Sequence, residues 1–182
     1  MTEERWYVVR GVFGKAQALH RVLSERGVRT FYPMLRRKDM VEVRLVPAIP
    51  NLCFVYGTRS FVLDIIDHLE NEAQLCRYLV PYIDMSTRQM VSVSDAEMQR
   101  FQRAFQQIGA EAVWLDPSRL HLSAGDYVRV TGGYLKGLEG YITRCKGQQR
   151  VVVTLGGVAA IGTIYIPTPL VERISPPADL RA

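Results

Sequence analysis

Long apolar runs are missing from this chain of 182 residues. Stretches such as Val151 to Val153 fall far short of the roughly 20 residues that a membrane span needs, so no membrane partner is expected. Cysteine is scarce: Cys53, Cys76 and Cys145 lie far apart, without a CxxC pair. An odd, scattered set argues against a disulfide framework and against a structural zinc site, and each cysteine is expected as a small buried apolar residue. His20, His68 and His121 are equally dispersed, with no HxxxH or HxH spacing to serve a metal. No nucleophile–base pairing stands out either, so neither an enzyme, a metal nor a cofactor is expected. The first residues, MTEERW, are acidic and polar. They carry no signal or transit peptide pattern, which makes the cytoplasm the expected compartment.

What the chain has is an ordinary globular composition, 48% apolar and 23% charged, with a net charge of +5. The charge is uneven. Residues 1 to 60 carry eleven Lys and Arg against five Asp and Glu. Residues 61 to 108 carry four against seven, and the remainder eight against six. A basic first third followed by an acidic middle suits a nucleic acid on one face and another partner elsewhere, or simply a solvated surface.

Periodicity places the elements. RWYVVRG, residues 5 to 11, is aromatic and β-branched and predicts a strand ended by Gly11 and Gly14. In KAQALHRVLSERG, Ala16, Leu19, Val22 and Leu23 recur at helical spacing, and Gly27 stands where a left-handed C-cap belongs. Lys15, His20 and Arg21 fall on the outer face of that helix. TFYPML is expected to be extended, with Pro33 marking an edge. Arg36, Arg37 and Lys38 open a β-hairpin that returns through VEVRLV, and LCFVYG reads as a central strand. Phe61, Ile65 and Leu69 set the stripe of a second helix. CRYLVPYID and RQMVSV supply short strands. Ser94 and Glu97 match a capping box ahead of a third helix, with Met98, Phe101, Phe105 and Ile108 as its stripe and Gly109 as its end.

Residues 110 to 123 lose periodicity and contain Pro117, as a linker does. Beyond them YVRV, LEGYITRC, RVVVTL and TIYIP alternate with glycines, the pattern of a small barrel.

The stretch TGGYLKGLEG, residues 131 to 140, raises a specific question: phosphate loop or barrel turn. A Walker-type loop needs GxxxxGK[ST] and a helix behind it. Here Lys136 precedes Gly137, no Ser or Thr follows, and the continuation is strand-like, so amides are not presented at a helix N-terminus. GxGxxG is absent as well.

The order GDYVRVTGGYLKGLEGYI resembles the KOW motif instead. Gly125, Asp126, Val128, Val130, Gly133, Gly137, Gly140 and Ile142 all fall in place. In the first half, WYVV, then PNLCFV behind a basic hairpin, then VSVSDAEMQRF resemble the N-terminal domain of the NusG/RfaH family of transcription elongation factors. The likeness spans most of residues 5 to 108 and then 124 to about 174. FYPML and PNLCFV look closer to the specialised branch, and the UpxY-like antiterminators are the best specific match.

The resemblance implies an α+β chain: a NusG-like N-terminal α/β sandwich at 1–109, a linker at 110–123 and an SH3-like all-β KOW barrel at 124–174. It implies a monomeric, non-enzymatic factor that binds the β′ clamp helices of RNA polymerase and suppresses pausing or termination. Val8, Tyr32, Ile49, Leu52, Phe54 and Tyr78 would form the polymerase patch, with Ile49 held outward between Pro47 and Pro50. Lys15, His20 and Arg21, with Arg36, Arg37 and Lys38, would meet nucleic acid, non-template DNA in particular. The KOW domain would recruit Rho or a ribosomal protein through Tyr134, Lys136, Ile164 and Ile166. A ribosome-associated or RNA-binding KOW protein is the alternative. The chain departs from the specialised pattern at Arg10, where an aromatic is usual, and at Leu63, Asp64 and Ile65, where a polymerase-contacting His-Thr-Thr is absent. The nine glycines between 125 and 162, each costing about 1 kcal/mol in a helix, disfavour an all-helical form of the barrel segment.

Overall fold

The computed structural model describes residues 3 to 180 except 39–41, 50, 70–72, 118–119, 123–125, 146 and 164, and leaves aside the side chains of Lys38, Ala73, Cys145 and Asp179. The chain divides into two compact units, Met1–Met34 with Leu45–Asp95, and Leu35–Arg44 with Ala96–Ala182. The division falls at Asp95 rather than at 109, so the helix expected to follow Ser94 goes with the second unit. Helices and antiparallel sheets combine in an α+β chain. Among the described residues no helix is long and apolar enough to cross a membrane.

In the first unit β1 (Arg5–Gly11) leads into α1 (Lys15–Glu25), then β2 (Thr30–Phe31). The hairpin strands β3 (Met34–Lys38) and β4 (Val43–Pro47) form a two-stranded sheet of their own, most of which groups with the second unit. After them come β5 (Leu52–Gly57), α2 (Arg59–His68), α3 (Ala73–Cys76), β6 (Leu79–Pro81) and β7 (Ser92–Val93). The main sheet runs β2-β5-β1-β6, with β7 also pairing β1. Register sets Val8 opposite Phe54 and Val9 opposite Cys53. Because side chains alternate across a strand, Tyr7 and Val9 join Cys53 and Val55 in one apolar cluster with Leu19, Leu23, Val62 and Ile66. Gly11 allows the tight return into α1: a Cβ there would come 2.2 Å from the Ala16 nitrogen.

Three expectations are corrected in detail. In α2 the buried residues are Val62, Ile65 and Ile66, while Phe61 is exposed. The helix turns Val62 and Ile66 onto the sheet because Thr58 caps it, its hydroxyl accepting from the Phe61 amide at 3.2 Å. In the helix over Asp95–Ile108, Ala104 is buried where periodicity predicts Phe105. The described residues of TIYIP form no strand; the last strand of this stretch ends at Gly162, just ahead of it.

The second unit holds α4 (Asp95–Ile108, its first residue counted with the other unit), β8 (Val113–Leu115), β9 (Tyr127–Val130), β10 (Glu139–Cys145), β11 (Gln148–Leu155), β12 (Ala159–Gly162) and β13 (Val171–Arg173). The strand order is β13-β9-β10-β11-β12-β8, antiparallel throughout. The segment expected as a linker therefore contributes a strand, with Trp114 opposite Ile161. Val128, Val130, Val151, Leu155 and Ile161 fill the core. Thr163, fully buried, accepts from the Val151 amide through its hydroxyl at 3.1 Å.

Candidate partner and nucleic-acid interfaces

The expected polymerase patch sits at the β1–β5 pair. Val8 and Phe54 are directly opposed and fully buried, and Tyr32, Ile49 and Leu52 are buried too. Ile49, expected to be held outward, turns inward. The Ala48 amide donates to the Pro33 carbonyl at 2.8 Å, and Asn51 takes a left-handed φ of 68°, so the chain folds back around residue 49. Burial, with the Cys53 sulfur adding to it, pushes the Tyr32 hydroxyl up from its ordinary value.

Tyr78 alone of the six is exposed, at 36%. It belongs to a surface that hydrophobic periodicity does not reveal. Phe13, 85% exposed and at a left-handed φ of 54°, meets the Tyr78 ring edge-on at 5.9 Å. The Lys15 ammonium lies over the same ring at 5.6 Å, and Arg10 lies over Tyr82 at 5.3 Å. Val80 and Ile83 are exposed beside them in sequence. The signal for this surface is an aromatic between two glycines, GVFGK, where a tight turn leaves a large side chain no route inward.

Phe13, in the turn ahead of α1, and Lys15, Gln17, His20 and Arg21 on the helix line one shallow depression. His20 Nδ1 is 2.7 Å from the Thr30 hydroxyl, and burial lowers the imidazole pKa below its usual value. At neutral pH it is an uncharged hydrogen-bonding group. Positive charge on this face therefore comes from Lys15 and Arg21.

The hairpin displays Arg36 and Arg37 to solvent beside Val43 and Leu45, which are 59% and 62% exposed. Lys38 ends β3, its side chain outside the described set. Leu35 is buried.

The glycine stretch forms a turn between β9 and β10. Gly133 and Gly137 take φ of 76° and 87°, which a side chain disfavours. The Gly137 amide donates to Val130, Lys136 to Gly133, and Leu138 to Leu135, at 2.8 to 3.2 Å. These amides are spent inside the turn, so none of the three is free to cradle phosphate. Leu135 and Leu138 plug the interior, which turns Tyr134 and Lys136 outward. The Tyr134 hydroxyl donates to Glu111, and the Gln107 amide donates to the carbonyls of Tyr134 and Lys136 at 3.4 and 3.2 Å. Desolvation first, then the Glu111 carboxylate, push the Tyr134 hydroxyl up to about 12. Ile166 is buried, its amide donating to the Gln149 carbonyl at 3.0 Å, and Ile164 lies outside the described residues.

No family model and no curated protein matches the chain. Among solved structures it is similar to that of Thermotoga maritima NusG, determined for its domain interaction, at 20% identity. The match covers 95% of this chain and 98% of that one, with a TM-score of 0.39. A likeness that distant carries no function across.

Proposed function

We propose that this chain is a non-enzymatic transcription elongation factor of the NusG/RfaH kind, related in type to the UpxY-like antiterminators. In this reading a NusG-like N-terminal domain docks on the β′ clamp helices of RNA polymerase and suppresses pausing or termination. A KOW domain then recruits a second partner, Rho or a ribosomal protein. The observation that carries it is the glycine stretch. The KOW-like order of residues 125 to 142 coincides with a strand, a turn with left-handed Gly133 and Gly137, and a returning strand. Gly140 supports it further, since any Cβ there would lie 2.5 Å from the Val152 carbonyl oxygen.

Within this reading, the exposed Phe13–Tyr78 surface, with Lys15 and Arg10 against it, is the first place where polymerase or DNA meets the N-terminal domain. Val8, Phe54, Ile49 and Leu52, buried here, form the apolar ground beneath the polymerase patch, with Tyr32 at its border. Lys15 and Arg21 take phosphates of the non-template strand, His20 adds an uncharged hydrogen bond, and Arg36, Arg37 and Lys38 steer the nucleic acid. Tyr134 and Lys136 are the outward partner contacts of the KOW turn, with Ile164 proposed as a third; Ile166, expected as a further contact, is buried and belongs to the core instead.

A mobility-shift assay on a paused elongation complex tests the reading directly. The protein is expected to shift the complex and to shorten the pause, and Phe13→Ala with Tyr78→Ala to weaken both. Binding to free RNA or ribosomal subunits without a shift of the elongation complex would establish the RNA-binding alternative instead. Replacing Arg36, Arg37 and Lys38 by alanine is expected to reduce the salt slope of binding by roughly one unit per lost phosphate contact. An unchanged slope would leave the hairpin as a solubilising surface.

A further inference from the structure

Away from the α1 face, the first unit holds a cleft that none of the roles above uses. Residues 82 to 91 form a hairpin that leans on β1: the Tyr82 amide donates to Val8 at 2.9 Å, the Val8 amide to Val91 at 3.1 Å, and the Val91 amide to Tyr82 at 2.8 Å. The tip is locked. One oxygen of Asp84 accepts from the Ser86 amide, the Ser86 hydroxyl and the Thr87 amide at 2.7, 2.5 and 3.0 Å. The Arg88 amide donates to the Asp84 carbonyl at 2.8 Å, and Arg88 itself is held at a left-handed φ of 58°. From the other side Arg59 opens α2 directly behind β5.

Between them lies a cleft of about 390 Å³, lined by Tyr7, Arg59, Arg88, Gln89, Met90 and Ser92. The lining includes two exposed arginines and no acid. Among the described residues neither arginine side chain has an ion pair or hydrogen bond. One carboxylate oxygen of Asp84, the acid nearest Arg88 in sequence, is held by Ser86 and Thr87, and the Ser86 hydroxyl bond above all keeps the group below the usual carboxylate range. Ser92 brings a third guanidinium alongside, accepting from Arg5 Nε at 3.1 Å; Arg5 also pairs with Glu3 at 3.2 Å.

Two unpaired guanidinium forks match an anion with three or more oxygens better than a carboxylate, whose two oxygens satisfy a single fork. The cleft is larger than a bare phosphate needs, and Tyr7 and Met90, both buried in the core, close its floor. We propose that this cleft binds a nucleotide by its phosphate, with Arg59 and Arg88 as the grip and Gln89 as an adjoining donor. The phosphate belongs either to a free nucleotide or to a phosphodiester of a single strand. The site stands independently of the polymerase reading.

Calorimetric titration of the full-length protein tests it, with inorganic phosphate, a nucleoside triphosphate and a single-stranded DNA 12-mer as separate probes. Arg59→Ala/Arg88→Ala is expected to weaken the triphosphate or the 12-mer by at least about tenfold, some 1.4 kcal/mol. Lys15→Ala/Arg21→Ala is expected to leave the triphosphate unaffected, which separates this cleft from the α1 face. Triphosphate binding assigns a free nucleotide; binding of the 12-mer alone assigns a strand. Arg88→Gly provides a folding control, because glycine relieves the left-handed strain: it should raise the urea midpoint while weakening the ligand. Wild type binding no probe, phosphate alone binding as tightly as either larger probe, or equal affinities in wild type and a folded double variant would each overturn the proposal.

Discussion

Single residues here are decided by how closely neighbouring backbone approaches. At Gly140 an added methyl would stand 2.5 Å from the Val152 carbonyl oxygen and 3.0 Å from a Val151 methyl, inside a strand that cannot slide. Gly140→Ala is therefore expected to cost about 1–3 kcal/mol, read as a lower urea midpoint. His20 makes the opposite kind of statement, through a proton. Burial lowers its folded pKa, so between that value and the unfolded value near 6.5 the unfolded chain binds more protons. Stability contributed by neutral His20 is present above that window and is lost as pH falls through it. Urea melts at pH 7.5 and 5.0 should show a decline on acidification that is smaller in His20→Gln. An equal decline in both proteins would place the effect elsewhere.

At the scale of elements, the turn between β9 and β10 shows how a loop divides its residues between structure and display. Leu135 and Leu138 face inward and Tyr134 and Lys136 outward, because two left-handed glycines reverse the chain around them. Leu135→Ala is expected to cost about 2–5 kcal/mol, whereas Lys136→Ala should stay within about 0.5 kcal/mol. Gly137→Ala should cost about 1–2 kcal/mol from its φ alone. Denaturant melts of the three variants check all three values. Lys136→Ala is then the clean variant for testing the proposed partner contact, since it changes the surface and not the fold. Elements with strong periodicity are legible in the amino-acid sequence alone: β1, α1, β5 and the third helix lie where spacing and the flanking glycines put them. β12 is not. Its sequence AAIG has weak strand propensity, and it is a strand because Leu155, Leu115 and their neighbours pair with it from both sides.

At the scale of the whole molecule, charge and grouping matter more than any contact. The excess of cations in residues 1 to 60 is expected to give nucleic-acid binding a steep salt dependence. Raising salt several-fold above a low starting concentration should weaken a 12-mer strongly, and the Lys15→Ala/Arg21→Ala variant should show a shallower slope. A salt-independent affinity would mean that the basic third is solvated surface only. The grouping of α4 with the second unit, and the strand formed by residues 113 to 115, follow from pairings between residues far apart in sequence. Composition cannot announce such pairings. The cleft between Arg59 and Arg88 is a case of the same kind, since these arginines stand far apart along the chain and yet line one space.

By itself the sequence determined the α+β class, the alternation of strands and helices in the first half, and the glycine turn, whose lysine placement and strand-like continuation exclude a Walker-type phosphate loop. Those are local matters: periodicity selects the element, and φ selects glycine. Only the tertiary structure decided which members of an apolar stripe are buried, that Ile49 turns inward while Phe13 stays out, and that two distant arginines face one cleft. Burial and convergence depend on what packs against a residue from elsewhere in the chain, and no local pattern encodes that neighbour.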